Sequence, residues 1–99
     1  MIKILKTDIF NAWLKSVDGS MRARVQSRMD NISNGHFGDY RVIGDGVSEL
    51  RFHVRSGIRI YYFQREQEVI VLLAGGNKDS QKKDIETAKK LVRQIREEN

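Results

Sequence analysis

The chain has 99 residues, a net charge of +5 and a sequence pI near 9.7, with no cysteine and no proline. Its length suits one domain, 1–99, with a modest core. The lack of cysteine excludes disulfides, thiolate metal sites and a Cys nucleophile, and His36 and His53 stand alone without HExxH spacing, so no metal or other cofactor is expected.

Residues 2–6 (IKILK) alternate apolar and basic and predict a short strand. Thr7 or Asp8 can cap the helix that follows, in which Ile9, Trp13 and Val17 share a face beside Phe10 and Leu14. Asp18-Gly19-Ser20 interrupts it. Ser20 can cap a second helix, whose Met21, Val25, Met29 and Ile32 form an apolar stripe that Asn34-Gly35 ends. After a possible short strand at Tyr40–Ile43 the period changes to two. Leu50, Phe52 and Val54 alternate with Glu49, Arg51 and His53, and Ile58, Ile60 and Tyr62 alternate with Arg59, Tyr61 and Phe63. The continuous apolar run 69–73 suits a strand buried on both faces. A last helix from about Asp79 carries Ile85, Ala88, Val92 and Ile95 on one face. The order β–α–α–β–β–β–α predicts an α+β fold, with the helices on one face of the sheet.

No apolar run approaches the ~20 residues of a membrane span, and MIKILKTDIF lacks the pattern of a signal peptide, so a cytoplasmic protein with no membrane partner is expected. Residues 35–77 hold five Arg against five acids, so the basic excess lies in the flanking helical segments. It suits a polyanionic partner, an acidic protein partner or plain solubility.

The loop between the two alternating strands decides which side chains meet. A two-residue loop at Ser56-Gly57 would mix apolar and charged residues on each face. A three-residue loop, Arg55-Ser56-Gly57, removes that conflict and sets Val54 opposite Ile58. Arg51 then faces Tyr61, His53 faces Arg59 and Glu49 faces Phe63, on an open sheet face with neighbours about 4.5–5.5 Å apart at Cβ. This group suits RNA. Arginines grip phosphate with paired hydrogen bonds, and Tyr61 and Phe63 offer rings for stacking. In metal-free cleavage by a 2′-hydroxyl, Glu49 or His53 would be the base, Arg51 and Arg59 would carry the charge, and Tyr61 or His53 would be the acid. The plain alternative is the solvated face of a sheet, with Glu49 merely pairing Arg51 or Arg59.

Gly75-Gly76-Asn77-Lys78-Asp79-Ser80-Gln81 joins the buried strand to the last helix. Its backbone N–H groups and Lys78 suit phosphate. Equally, two glycines make a turn and Asp79 or Ser80 caps the helix. The basic face of that helix is either solvated or a docking surface for an acidic partner, and Lys82 beside Lys78 is a candidate RNA contact.

Three segments carry a resemblance: Gly46-Val47-Ser48-Glu49-Leu50-Arg51, Gly57-Ile58-Arg59-Ile60-Tyr61-Tyr62, and Leu72 through Ile85 with Ala88. Together they resemble the "addiction module killer protein" branch of the RelE/ParE toxin superfamily, RelE/HigB-like members above all, over nearly the whole chain. The resemblance implies a compact α+β RelE-like fold, with a central antiparallel sheet packed against an N-terminal helical hairpin and a C-terminal helix. It implies a type II toxin–antitoxin toxin that cleaves messenger RNA on the ribosome and thereby inhibits translation. Its partner would be an adjacently encoded helix-turn-helix antitoxin, through which operator DNA is bound. Arg51 and Arg59 match positions that contact RNA phosphates, and Lys78 lies near another such position. Many members also carry a catalytic Tyr or His near the C-terminal end, and the last helix here has neither. A ParE-like gyrase inhibitor is the alternative. A third reading is a non-catalytic binding protein acting in operon autoregulation.

Overall fold

In the computed structural model, residues 1–98 are described. β1 (Lys3–Lys6) leads into α1 (Asp8–Ser16) and α2 (Gly19–Ser33). β2 (Tyr40–Gly44), β3 (Val47–Arg51), β4 (Arg59–Glu66) and β5 (Val69–Gly76) follow. A 3-10 turn at Lys78–Ser80 then opens α3 (Gln81–Glu98). Among the described residues the strands form one sheet in the order β1-β5-β4-β3-β2. β2 through β5 pair antiparallel, while β1 joins β5 in parallel, Lys3 opposite Val69 and Lys6 opposite Leu72. Among the described residues no helix is long and apolar enough to cross a membrane.

The caps follow from short polar side chains at chain breaks. The Thr7 hydroxyl accepts from the Phe10 N–H at 3.0 Å and donates to the Leu73 carbonyl at 2.6 Å, which ties α1 to β5. Asp18, rather than Ser20, caps α2. Its carboxylate accepts from the Met21 N–H at 2.8 Å and from the Ser20 hydroxyl at 2.7 Å. Asn77, rather than Asp79 or Ser80, starts the last helical stretch in a reciprocal capping box with Ser80.

Helices cover both faces of the sheet, not one. Against α1 and α2 lie Leu50, Phe52, Ile60, Tyr62, Ile70 and Leu72, together with the stripe Met21, Val25, Met29 and Ile32. Against α3 lie Val47, Tyr61, Val71, Leu73, Ala88 and Val92. The physical reason was present in the run 69–73: a strand apolar at every position needs cover on both sides. The double glycine at the end of β5 is part of this packing. A Cβ on Gly75 would stand 2.3 Å from the Trp13 ring of α1, and one on Gly76 would stand 1.9 Å from Asp84 Oδ2 of α3.

The β3–β4 register also departs from expectation. Glu49 pairs with Tyr61, Leu50 with Ile60 and Arg51 with Arg59. The Phe52 N–H donates to the Ile58 carbonyl at 3.0 Å, so residues 53–57 form the connection, with Gly57 in the left-handed region at φ +66°. The pairing is offset by two residues from a three-residue loop. A shift of two keeps every side chain on its face, so apolar patterning fits both registers equally well.

Candidate functional site

Glu49 is fully buried in the middle of β3 and gathers the arginines of three strands. Arg41 of β2 donates from Nε at 3.1 Å and lies 3.0 Å away through Nη2, both toward Oε2. Arg51 Nε is 3.5 Å from the same oxygen. Arg59 Nε lies 2.9 Å from Oε1, and Gln81, the first residue of α3, donates to Oε1 at 2.8 Å. The Arg51 and Arg59 contacts are ionic rather than well-aimed hydrogen bonds, since neither Nε–H points at an acceptor. Arg59 also donates from Nη1 to the Gly57 carbonyl at 2.8 Å.

Cross-strand pairing produces this arrangement. Arg41 stands opposite Glu49, and Arg51 opposite Arg59. Two like charges face to face are unfavourable unless an anion sits between them, and Glu49 is that anion. The three guanidinium side chains remain 49%, 37% and 19% exposed for Arg41, Arg51 and Arg59. Three cations sharing one carboxylate leave positive charge in excess, facing solvent beside the start of α3. Lys78 lies close by: its Cβ and the Arg59 Nη1 would each stand 3.2 Å from a Cβ on Gly57.

Other predicted members of the site fall elsewhere. His53 lies beyond the end of β3, its side chain 81% exposed, with Nε2 2.9 Å from Asp39 Oδ2. Tyr61 shares the face with Glu49 but is fully buried beneath α3, and its hydroxyl has no hydrogen-bond partner among the described residues. Burial, and then the nearby Glu49 and Asp84, push that hydroxyl far above the usual phenol range. A phenol so placed does not reach solvent to donate a proton. Phe63 is half-buried under α3, with the Arg96 guanidinium 5.3 Å from its ring centre, so it offers no open stacking surface. Lys82 is exposed on the first turn of α3, and no contact ties it to the cluster. Both oxygens of Glu49 are engaged, which leaves it little capacity as a base.

Arg41 and Gln81 were not foreseen. Arg41 had a sequence signal, since pairing the short strand 40–43 beside 47–51 sets it across from Glu49. Gln81 had none, because its place depends on how α3 docks. Among the described residues no three His, Asp or Glu side chains converge as a metal site requires.

The model of the family described as "Phage derived protein Gp49-like (DUF891)" matches residues 12–94, a span that holds every residue of the cluster. An uncharacterized protein of Haemophilus influenzae is 34% identical over 95 residues, covering 95% of this chain and 96% of that protein. The chain thus belongs to the phage-derived Gp49-like family.

Proposed function

We propose that this protein is the toxin of a type II toxin–antitoxin pair and that it acts on messenger RNA at the ribosome, holding phosphate at the arginine cluster. Membership of the phage-derived Gp49-like family supports a toxin-like function. The observation that carries the reading is the fan of Arg41, Arg51 and Arg59 around one buried carboxylate. Buried ion pairs add little net stability compared with apolar packing, so stability alone does not account for three arginines here. As a device that aims guanidiniums outward, the arrangement has a clear use. Glu49 draws the three guanidiniums together by charge, and their exposed parts are left for a phosphate.

In 2′-hydroxyl attack on the adjacent phosphorus, negative charge grows on the phosphoryl oxygens as the 5′-oxygen of the next nucleotide leaves. Arg51, Arg59 and Lys78 are the residues this reading assigns to compensating that charge, and one such donor is commonly worth about 2.7–4 kcal/mol of transition-state binding. The partner in this reading is a helix-turn-helix antitoxin encoded beside the toxin, and the pair meets operator DNA through the antitoxin.

Expression without the neighbouring gene should arrest growth, and protein synthesis should fall before DNA synthesis. If DNA synthesis falls first, gyrase inhibition replaces this reading. Arg51→Ala should abolish toxicity with little change in melting temperature, because Arg51 makes the longest of the three contacts on Glu49, at 3.5 Å. A folded, fully toxic Arg51→Ala would remove the cluster from the mechanism.

A further inference from the structure

Two grooves meet at Arg24, on the solvent side of α2. One, about 290 Å³, is lined by Arg24, Arg28, Asn31, Arg51 and His53. The other, about 480 Å³, lies between the α1–α2 turn and the β3–β4 loop. Val17, Met21, Val54 and Ile58 form its floor, and Arg24 and Arg55 stand at its rim. Arg51 lines the first groove, and its side chain meets Glu49 on the other face of the sheet, so the first groove ends at the residue where the arginine cluster begins.

The cations along this path are not equivalent. Arg28 is committed to the fold. It donates to the carbonyls of Phe37 at 2.9 Å, Arg51 at 2.6 Å and Asp39 at 2.7 Å, and its guanidinium lies 4.9 Å from the Phe52 ring centre. Arg24 and Arg55 are exposed. The acids beside the path are engaged: Asp18 caps α2, which holds its carboxyl below the usual range, chiefly through the Ser20 hydroxyl, and Asp39 meets His53.

Resting on the RNA reading above, we propose that these grooves are a track for the single strand that flanks the phosphate at the arginine cluster, with Arg24 and Arg55 on successive phosphates and the Val54–Ile58 floor receiving an unstacked base. Three features fit this occupant. Single-stranded RNA presents phosphates and flat apolar faces in alternation, and an arginine rim over an apolar floor matches both. A guanidinium plane both stacks on a base and forks onto phosphate. The first groove shares Arg51 with the arginine cluster, so a strand that rounds the end of β3 would meet both.

The test uses the full-length protein and 5′-fluorescein oligouridylates, a trinucleotide and a dodecamer, followed by anisotropy against salt. The dodecamer should bind more tightly than the trinucleotide. Arg24→Ala with Arg55→Ala should weaken dodecamer binding on the order of tenfold and flatten its log–log salt slope by about 1.4, for two phosphates of a single strand, leaving trinucleotide binding unchanged. Arg24→Lys with Arg55→Lys should restore the slope. Both positions are exposed, so melting temperature should hold and serves as the folding control. If the alanine pair leaves dodecamer affinity and slope unchanged while Arg51→Ala weakens both oligomers, the track is refuted and the RNA reading stands. If the wild-type protein binds neither oligomer, the track is refuted, while the reading of the toxin itself stands or falls on the growth-arrest experiment. If the alanine pair keeps RNA affinity but loses copurification with the neighbouring gene product, the grooves belong to a protein partner and the track is refuted.

Discussion

Glu49 and Leu50 are neighbours in β3, both fully buried, and they point to opposite faces of the sheet. Leu50 enters a core in which the inward side chains of the sheet and the α2 stripe are apolar. Glu49 enters a face that is apolar along α3 and ionic at one end. The first face is held by area and shape, so it tolerates swaps that preserve volume. The ionic end of the second is held by charge balance, where removal of one partner strands the others. Equal burial thus has two meanings a single residue apart.

The largest expected effects test this pair directly. Glu49→Ala should cost about 3–5 kcal/mol, the range for removing one member of a buried charge group, and Leu50→Ala about 2–5 kcal/mol as a core cavity. Denaturant unfolding gives both. Salt separates them, because the Glu49→Ala protein keeps three facing guanidiniums whose repulsion salt screens, so its deficit should shrink with added salt while that of Leu50→Ala does not. Equal salt responses would dissolve the distinction between the faces.

Gly75→Ala should cost about 1–3 kcal/mol by overpacking, since the new methyl meets the Trp13 ring. Trp13→Leu in the same chain should recover part of the loss in thermal melts. A cost unaffected by the Trp13 change would mean that the glycine matters for its backbone instead.

Tyr61→Phe should be neutral or stabilising by up to about 1 kcal/mol, because it removes a buried hydroxyl without a partner, and it should leave toxicity intact. Its pH dependence has a definite sign. The folded-state pKa of Tyr61 lies above its unfolded value near 10, so its contribution is fully present below that pH. It is lost as the pH rises above 10, where the unfolded chain ionises and the folded one does not. Tyr62 is raised in the same direction, again by burial first. Alkaline destabilisation above pH 10 should therefore be reduced in Tyr61→Phe and reduced further in the double Phe variant.

The smallest effect belongs to His53→Ala, under about 0.5 kcal/mol for an exposed residue. Toxicity should be unchanged or weakly reduced. Complete loss of toxicity would restore His53 to the chemistry and place the working end of the site in the β3–β4 loop.

Much of the first face was legible in the sequence. The α2 stripe Met21, Val25, Met29 and Ile32 is buried as its spacing predicts, and the parity of β3 and β4 holds on both faces. The second face was harder, because Glu49, Arg51, Arg59 and Tyr61 alternate with apolar residues just as a solvated face does. What distinguishes them is the cover of α3, a contact between distant parts of the chain that leaves no local period. His53 was misplaced for a simpler reason: parity says which side a residue faces, not where the strand ends. Arg51 and Arg59 were recognisable because charge at the end of a strand pair survives an error of two in register, and the fine pairing does not.

The parallel partnership of β1 and β5 has a consequence for the order of events during synthesis. The Thr7 hydroxyl bonds a carbonyl 66 residues further along, and Trp13 packs on Gly75. At about 5–20 residues per second of translation, the first strand is made roughly 3–13 s before its neighbour. Until then β1 has no strand to pair with, and Trp13 of α1 has no Gly75 to pack on. Gln81, which closes the last side of Glu49, emerges later still. The arginine cluster therefore assembles only after most of the chain has been synthesised, and a nascent chain that stops short of β5 carries the arginines of the site without the geometry that aims them.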